Sequence, residues 1–291
     1  MPDPAPPPSR TGQVDVDGVT LRYTILGDPA ATAPPLLLLH GGFMHGAAMA
    51  PLAAHFAGER PVVLLDQRAH GRSGDAEAPL SYPQLGDDAA RVVEALGASL
   101  GAAFGAPGAD VLGYSMGGGA ALQLAIRHPA RVRKLVILSA TYRRDGWYPE
   151  VMDAIGGMTV ASVAGSSLER DYRRLSPTPD RFARYVERVR RLNYEDQDIP
   201  DAVVRGIAAP TMVVVGDADG VRPEHAVALF TLRGGGDRRA AATGTLDGVP
   251  QARLLVLPAA GHLGLTAMYP EIARHVTAFL NDEPPRPPTW S

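Results

Sequence analysis

The pattern of apolar and polar positions marks short β-type runs at Gln13–Val16, Val19–Leu26, Pro35–His40, Val62–Asp66, Asp110–Tyr114, Lys134–Ser139, Thr211–Gly216 and Arg253–Leu257. The third to eighth are near-continuous apolar runs, the pattern of strands buried on both faces of a parallel sheet. The first two lead into each other through Asp17-Gly18, a hairpin signal, so the sheet is expected to begin antiparallel. Helical patterns fill the gaps at 46–57, 83–99, 116–128, 223–231 and 267–281. This order predicts an α/β fold: a mostly parallel, eight-stranded sheet flanked by helices. Right-handed crossovers then gather the loops that follow the strands on one edge, where α/β sites form.

Residues 142–206 break the alternation, with several helical patterns and no convincing strand. They are expected to form a helical cap inserted between strands six and seven. Within them Phe182, Tyr185, Val186, Val189 and Leu192 fall on one helical face, and Arg181, Arg184, Arg188 and Arg191 on the other, which reads as a solvated stripe. The expected organisation is a disordered proline-rich tail over 1–11, a core domain over 12–141 and 207–282, the cap over 142–206, and a C-terminal tail over 283–291.

Composition narrows the function. With 291 residues, 45% of them apolar, the chain is long enough to bury one large core without a disulfide or metal staple. Lys+Arg is 28 against Asp+Glu 31, so no net basic field exists to hold a nucleic-acid backbone. Nearly all of that basic charge is arginine; Lys134 is the one lysine. No cysteine is present, which removes thiolate nucleophiles, Fe–S clusters and Cys-based zinc sites together. The N-terminus lacks the basic and apolar regions of a Sec signal. The longest aliphatic run, Leu36 to Leu39, is far below the ~20 residues needed to span a bilayer. A cytoplasmic protein with no membrane partner is therefore expected.

The chemistry begins at Gly113-Tyr114-Ser115-Met116-Gly117, between an apolar strand and a Gly- and Ala-rich helix. Small residues two before and two after the serine permit a sharp strand-to-helix turn that lifts its oxygen into the open. The helix N-terminus beneath favours developing negative charge. His40-Gly41-Gly42-Phe43-Met44 ends the third strand, and its glycines can turn backbone N–H groups toward a substrate oxygen. The expected oxyanion donors are the N–H groups of Gly42 and Met116, with Phe43 as a rival for the first.

A serine nucleophile needs a base held by a third group. Of the eight histidines, His262 lies in a glycine-flanked loop after the last strand, on the edge expected to carry Ser115. His70, after the fourth strand, is its serious rival and reads as packing beside the site; His40 reads as structural. The acid is expected after the strand preceding that of His262, where Asp217-Ala218-Asp219 stands. Asp219 has the better reach, and Asp217 more naturally closes the turn. At the end of the sixth strand, where an acid is the other option, Ser139-Ala140 stands instead.

The chain order Ser, Asp, His, together with the glycine turn and the alternating sheet, resembles the α/β-hydrolase fold with an inserted cap, over roughly residues 12–281. The resemblance implies a serine hydrolase acting on a carboxylic ester through Ser115, Asp219 and His262. Lactonase, thioesterase, carbon–carbon bond hydrolase and perhydrolase remain open alternatives of the same fold, and further off stand an acyltransferase and a catalytically silent binding relative. No metal or organic cofactor is called for, and the partner is a small ester-type molecule. Phe43, Met44, Trp147, Tyr148, Met152 and Met158 are candidates for an apolar substrate pocket. The glycine-rich stretch over 232–249 is longer than expected and carries no assigned role.

Overall fold

In the computed structural model the described residues are 9–100, 108–195 and 197–285. Of the tails expected over 1–11 and 283–291, residues 1–8 and 286–291 lie outside them. The strands are β1 (Ser9–Val16), β2 (Val19–Leu26), β3 (Leu36–Leu39), β4 (Val62–Asp66), β5 (Ala109–Tyr114), β6 (Val132–Leu138), β7 (Thr211–Gly216) and β8 (Ala252–Leu257). They form one sheet in the order β1-β2-β4-β3-β5-β6-β7-β8. β1 and β2 are antiparallel, β2 runs antiparallel to β4, and every pair from β4 to β8 is parallel. Asp17 and Gly18 both take positive φ, 49° and 76°, as a two-residue hairpin turn matching strand twist requires.

The expected N-terminal tail ends earlier than residue 11. Ser9, Arg10 and Thr11 already pair with Leu26, Ile25 and Thr24, because the hairpin register carries β1 to the full length of β2. The expected helix over 46–57 is also shorter: a 3₁₀ turn at Gly46–Met49 runs into a single α-turn at Ala50–Ala53.

Two apolar layers sandwich the sheet. Leu85, Val92, Ala120 and Leu124 come from the helices Tyr82–Leu100 and Met116–Arg127 and pack on one face with Leu37, Val111 and Ile137. Ile272, Val276 and Phe279 from the helix Tyr269–Leu280 pack on the other with Leu36, Leu112 and Val136. Side chains of β3 to β7 point alternately into the two layers, so both kinds of position must be apolar. Lys134 is drawn into this structure: its ammonium donates to the Phe279 carbonyl at 2.7 Å and pairs with Asp282.

Between β6 and β7 the chain is helical, with its longest helix at Phe182–Glu195. Phe182, Tyr185, Val186, Val189 and Leu192 are buried, as their spacing predicts. The arginine face is not simply solvated. Arg184 and Arg188 donate to the Ala76 carbonyl, Arg188 pairs with Asp75 at 2.5 Å, and Arg181 and Arg184 pair with Glu77. The stripe fastens this helix to the loop beyond β4. Only Arg191 keeps to its own helix, pairing with exposed Glu195.

Candidate active site

Four neighbouring strands each deliver one polar side chain to the same edge. Tyr114 pairs with Leu138, Leu138 with Val214, and Gly216 with Leu257. The residues just beyond those pairs are Ser115 after β5, Ser139 after β6, Asp219 after β7 and His262 after β8.

Ser115 sits at φ 54° and ψ −120°, outside the regions an L-residue prefers. Holding a side chain there costs roughly 1–3 kcal/mol and persists only where neighbours over-determine it. Here the flanking glycines allow it. A Cβ on Gly113 would lie 2.1 Å from the Gly117 carbonyl oxygen, and one on Gly117 would lie 2.1 Å from that of Leu39. No other residue fits either position.

The structure brings the three predicted side chains together in line. Ser115 Oγ lies 3.0 Å from His262 Nε2, and His262 Nδ1 lies 2.9 Å from Asp219 Oδ1. Asp219 Oδ1 also accepts from the Val221 N–H at 3.0 Å, and its side chain is wholly buried. Burial pushes the Asp219 carboxyl upward, but the hydrogen bond and charge of His262, with the Ser139 hydroxyl and the Val221 N–H, hold it below the ordinary aspartate value. Asp217 does not bond its own turn as expected; its carboxylate reaches across to the loop after β8 and accepts from the Ala260 N–H at 3.2 Å.

The His262 ring is held between two aromatic side chains. Tyr114 stacks on it at 5.2 Å, while its hydroxyl donates to the His262 carbonyl at 2.9 Å. Trp147 meets it edge-on at 5.6 Å. Trp147 is fixed in turn by an antiparallel bridge to Val221, with the Tyr148 N–H donating to the Gly220 carbonyl at 3.0 Å. The helical segment thus reaches the edge of the sheet through the same loop that carries Asp219.

The glycine loop after β3 faces the serine. A Cβ on Gly41 would come within 3.3 Å of Ser115 Cβ, and one on Gly42 within 2.9 Å of Asn193 Nδ2 from the helix above. Phe43 takes φ 61° and packs edge-on to Tyr185 at 5.8 Å. Met116 begins the helix beyond Ser115. Of the pocket candidates, Trp147 meets the His262 ring, Met44 lies against Gly41, and Phe43 packs on Tyr185. Tyr148 is 40% exposed, Met152 is buried within the helical segment, and Met158 lies beyond the end of the Met152 helix. Leu263, next to His262, is 76% exposed, so the rim is apolar. Cavity size does not mark the site. Spaces of about 590 and 670 Å³ lie beside β8 and the C-terminal helix, and neither is lined by Ser115, Asp219 or His262.

Sequence reasoning missed Ser139, Asn193, Tyr114 and Tyr185. The strand register could have found Ser139, since it occupies on β6 the place Ser115 occupies on β5. Asn193 and Tyr185 lie on a helix whose docking no local pattern sets. Among the described residues, no group of three or more His, Asp or Glu is placed to hold a metal ion, and no helix is long and apolar enough to cross a membrane.

A family profile described as the alpha/beta hydrolase fold matches residues 34–265. A pimeloyl-[acyl-carrier protein] methyl ester esterase of Xanthomonas campestris pv. campestris is 35% identical over 157 residues, 53% of this chain and 54% of that one. The protein of the same name from Xanthomonas axonopodis pv. citri is 28% identical over 274 residues, 88% of this chain and 99% of its own. At the higher identities, the matched part spans about half the length of the curated relatives. The crystal structure of the enol-lactonase from Burkholderia xenovorans LB400 superposes with a TM-score of 0.67 at 21% identity, covering 93% of this chain and all of that one.

Proposed function

The chain belongs to the alpha/beta hydrolase fold family, and from that premise we propose that it is a serine hydrolase that cleaves a carboxylic ester through an acyl-enzyme. The observation that carries the reading is the unbroken line from Ser115 Oγ through His262 to Asp219, at 3.0 and 2.9 Å. His262 Nε2 takes the Ser115 proton as Oγ attacks the ester carbonyl. The resulting oxyanion is held by the N–H groups of Gly42 and Met116. Collapse of this intermediate passes the proton from Nε2 to the leaving alcohol. Water then repeats both steps on the acyl-enzyme and releases the acid. Asp219 keeps the imidazole oriented and stabilises its cation. The donors matter because charge develops on the oxygen only as the bond forms; each one lost costs about 100- to 1000-fold in turnover.

Residues 142–206 act as the cap. Phe43, Met44 and Trp147 supply an apolar lining that suits the acyl or alcohol part of a small ester. The naming of two relatives as methyl ester esterases supports ester over amide chemistry. The test is hydrolysis of p-nitrophenyl acetate, butyrate and octanoate by wild type and Ser115→Ala in parallel. Wild-type turnover with the variant at background is expected. Equal turnover by the two would overturn the reading, as would failure of Ser115 to react with a fluorophosphonate.

A further inference from the structure

We infer that Ser139 is a positioning residue whose hydroxyl closes a ring of hydrogen bonds with Asp219 and His262 and thereby selects the imidazole tautomer that can accept the Ser115 proton. The inference rests on the acyl-enzyme reading above. Ser139 Oγ lies 2.5 Å from Asp219 Oδ2 and 2.7 Å from His262 Nδ1, while the other carboxylate oxygen lies 2.9 Å from the same nitrogen.

A hydroxyl carries one proton, and an ionised carboxylate only accepts. Ser139 therefore donates to Asp219 Oδ2 and turns a lone pair to Nδ1. Nδ1 then faces two acceptors, Ser139 Oγ and Asp219 Oδ1, and is stable only when it carries the proton. Nε2 is left with a free lone pair toward Ser115. The opposite tautomer would set Nδ1 and Asp219 Oδ1 against each other, two acceptors 2.9 Å apart.

The local backbone is committed to this placement. Ser139 is 1% exposed and takes φ 52°, a conformation L side chains rarely adopt. Its N–H donates to the Val214 carbonyl at 2.8 Å, and the Ser115 N–H donates to Leu138 beside it. Another buried serine shows the alternative. Ser73 Oγ donates to the Asp66 carbonyl and accepts from the Arg22 N–H, so it serves the backbone. The contacts of Ser139 Oγ run to Asp219 and His262.

The experiment measures kcat and KM separately with p-nitrophenyl butyrate for wild type, Ser139→Gly, Ser139→Ala and Ser115→Ala, with Tm for each. Glycine keeps the positive φ and alanine keeps the volume, so together they separate the hydroxyl from the backbone. Loss of a hydrogen bond to a charged partner is expected to lower kcat by about 10- to 100-fold. KM should change by less than about twofold, because Ser139 touches no substrate. A companion set compares Asp219→Asn with Asp219→Asn/Ser139→Asp. Position 139 already addresses Nδ1, so a carboxylate there should recover turnover at least about tenfold, which a purely structural role would not give.

Turnover within about twofold of wild type in both Ser139 variants overturns the inference. So does a loss that merely follows Tm, with the double variant no better than Asp219→Asn. Activity surviving in Ser115→Ala would instead overturn the hydrolase reading itself.

Discussion

The loops after β4 and after β8 each bring a histidine toward the same edge of the sheet, and they put it to opposite uses. His262 has a carboxylate at 2.9 Å from one ring nitrogen and the Ser115 hydroxyl at 3.0 Å from the other. His70 bonds the Arg68 carbonyl through Nδ1 at 2.9 Å, packs against the rings of His40 and Tyr185, and leaves Nε2 buried with no partner. Burial, helped by the neighbouring His40, lowers the His70 pKa to about 3. A general base needs a group that rewards its charged form, and burial alone does the reverse. What separates the two histidines is the carboxylate supplied by β7.

The sharpest way to break this comparison is to remove each ring. His262→Ala should lose about 10⁶-fold in kcat, as for a base acting as one unit with its serine. His70→Gln should stay within about tenfold of wild type, since its ring transfers no proton. Equal losses in steady-state assays would make the two loops equivalent and end the distinction. Next in size, Asp219→Asn should cost about 10⁴-fold in kcat at neutral pH, because an amide can present its N–H to Nδ1 and favour the wrong tautomer.

A third effect concerns stability. Burial lowers the pKa of His40 to about 4, of His70 to about 3 and of His225 to about 4. Two of these rings accept a backbone N–H through Nε2, His40 from Gln67 and His225 from Tyr142, and protonation would break both bonds. Below the ordinary histidine value of about 6.5, the unfolded chain binds protons that the folded chain refuses. Stability is therefore complete above that pH and drains away as pH falls toward 4 and 3. Tm measured from pH 8 to pH 4 should fall steeply below 6.5, and a flat profile would contradict the buried neutral rings. Smallest of all, Arg188→Ala should lower Tm by a few degrees, since it removes the closer of the two arginines that tie the helical segment to Asp75 and the Ala76 carbonyl. Raising salt in the wild type should reproduce little of that loss, because Arg188 is only 11% exposed.

The parts of the site that were legible are those fixed by local chain geometry. Gly113 and Gly117 announce a turn that other residues cannot make, and the apolar runs place Asp219 and His262 after adjacent strands. Ser139 is not legible as a site residue because the group expected after β6 is an acid, and a hydroxyl meets the same nitrogen by another route. The arginine stripe was misread because helical periodicity records which face is polar and not what lies opposite it. Its partners, Asp75 and Glu77, stand more than a hundred residues earlier in the chain. The start of β1 was hidden for a similar reason, since Ser9-Arg10-Thr11 has no apolar signature and is a strand only because β2 offers it an edge.

The burial of Lys134 has a practical consequence. With its ammonium held by Phe279 and Asp282 and no cysteine anywhere in the sequence, the chain offers covalent labels almost no side-chain handle of its own. A single thiol introduced at the exposed position of Leu263 would have no competitor, and a fluorophore attached there would watch the mouth of the site one ligand at a time.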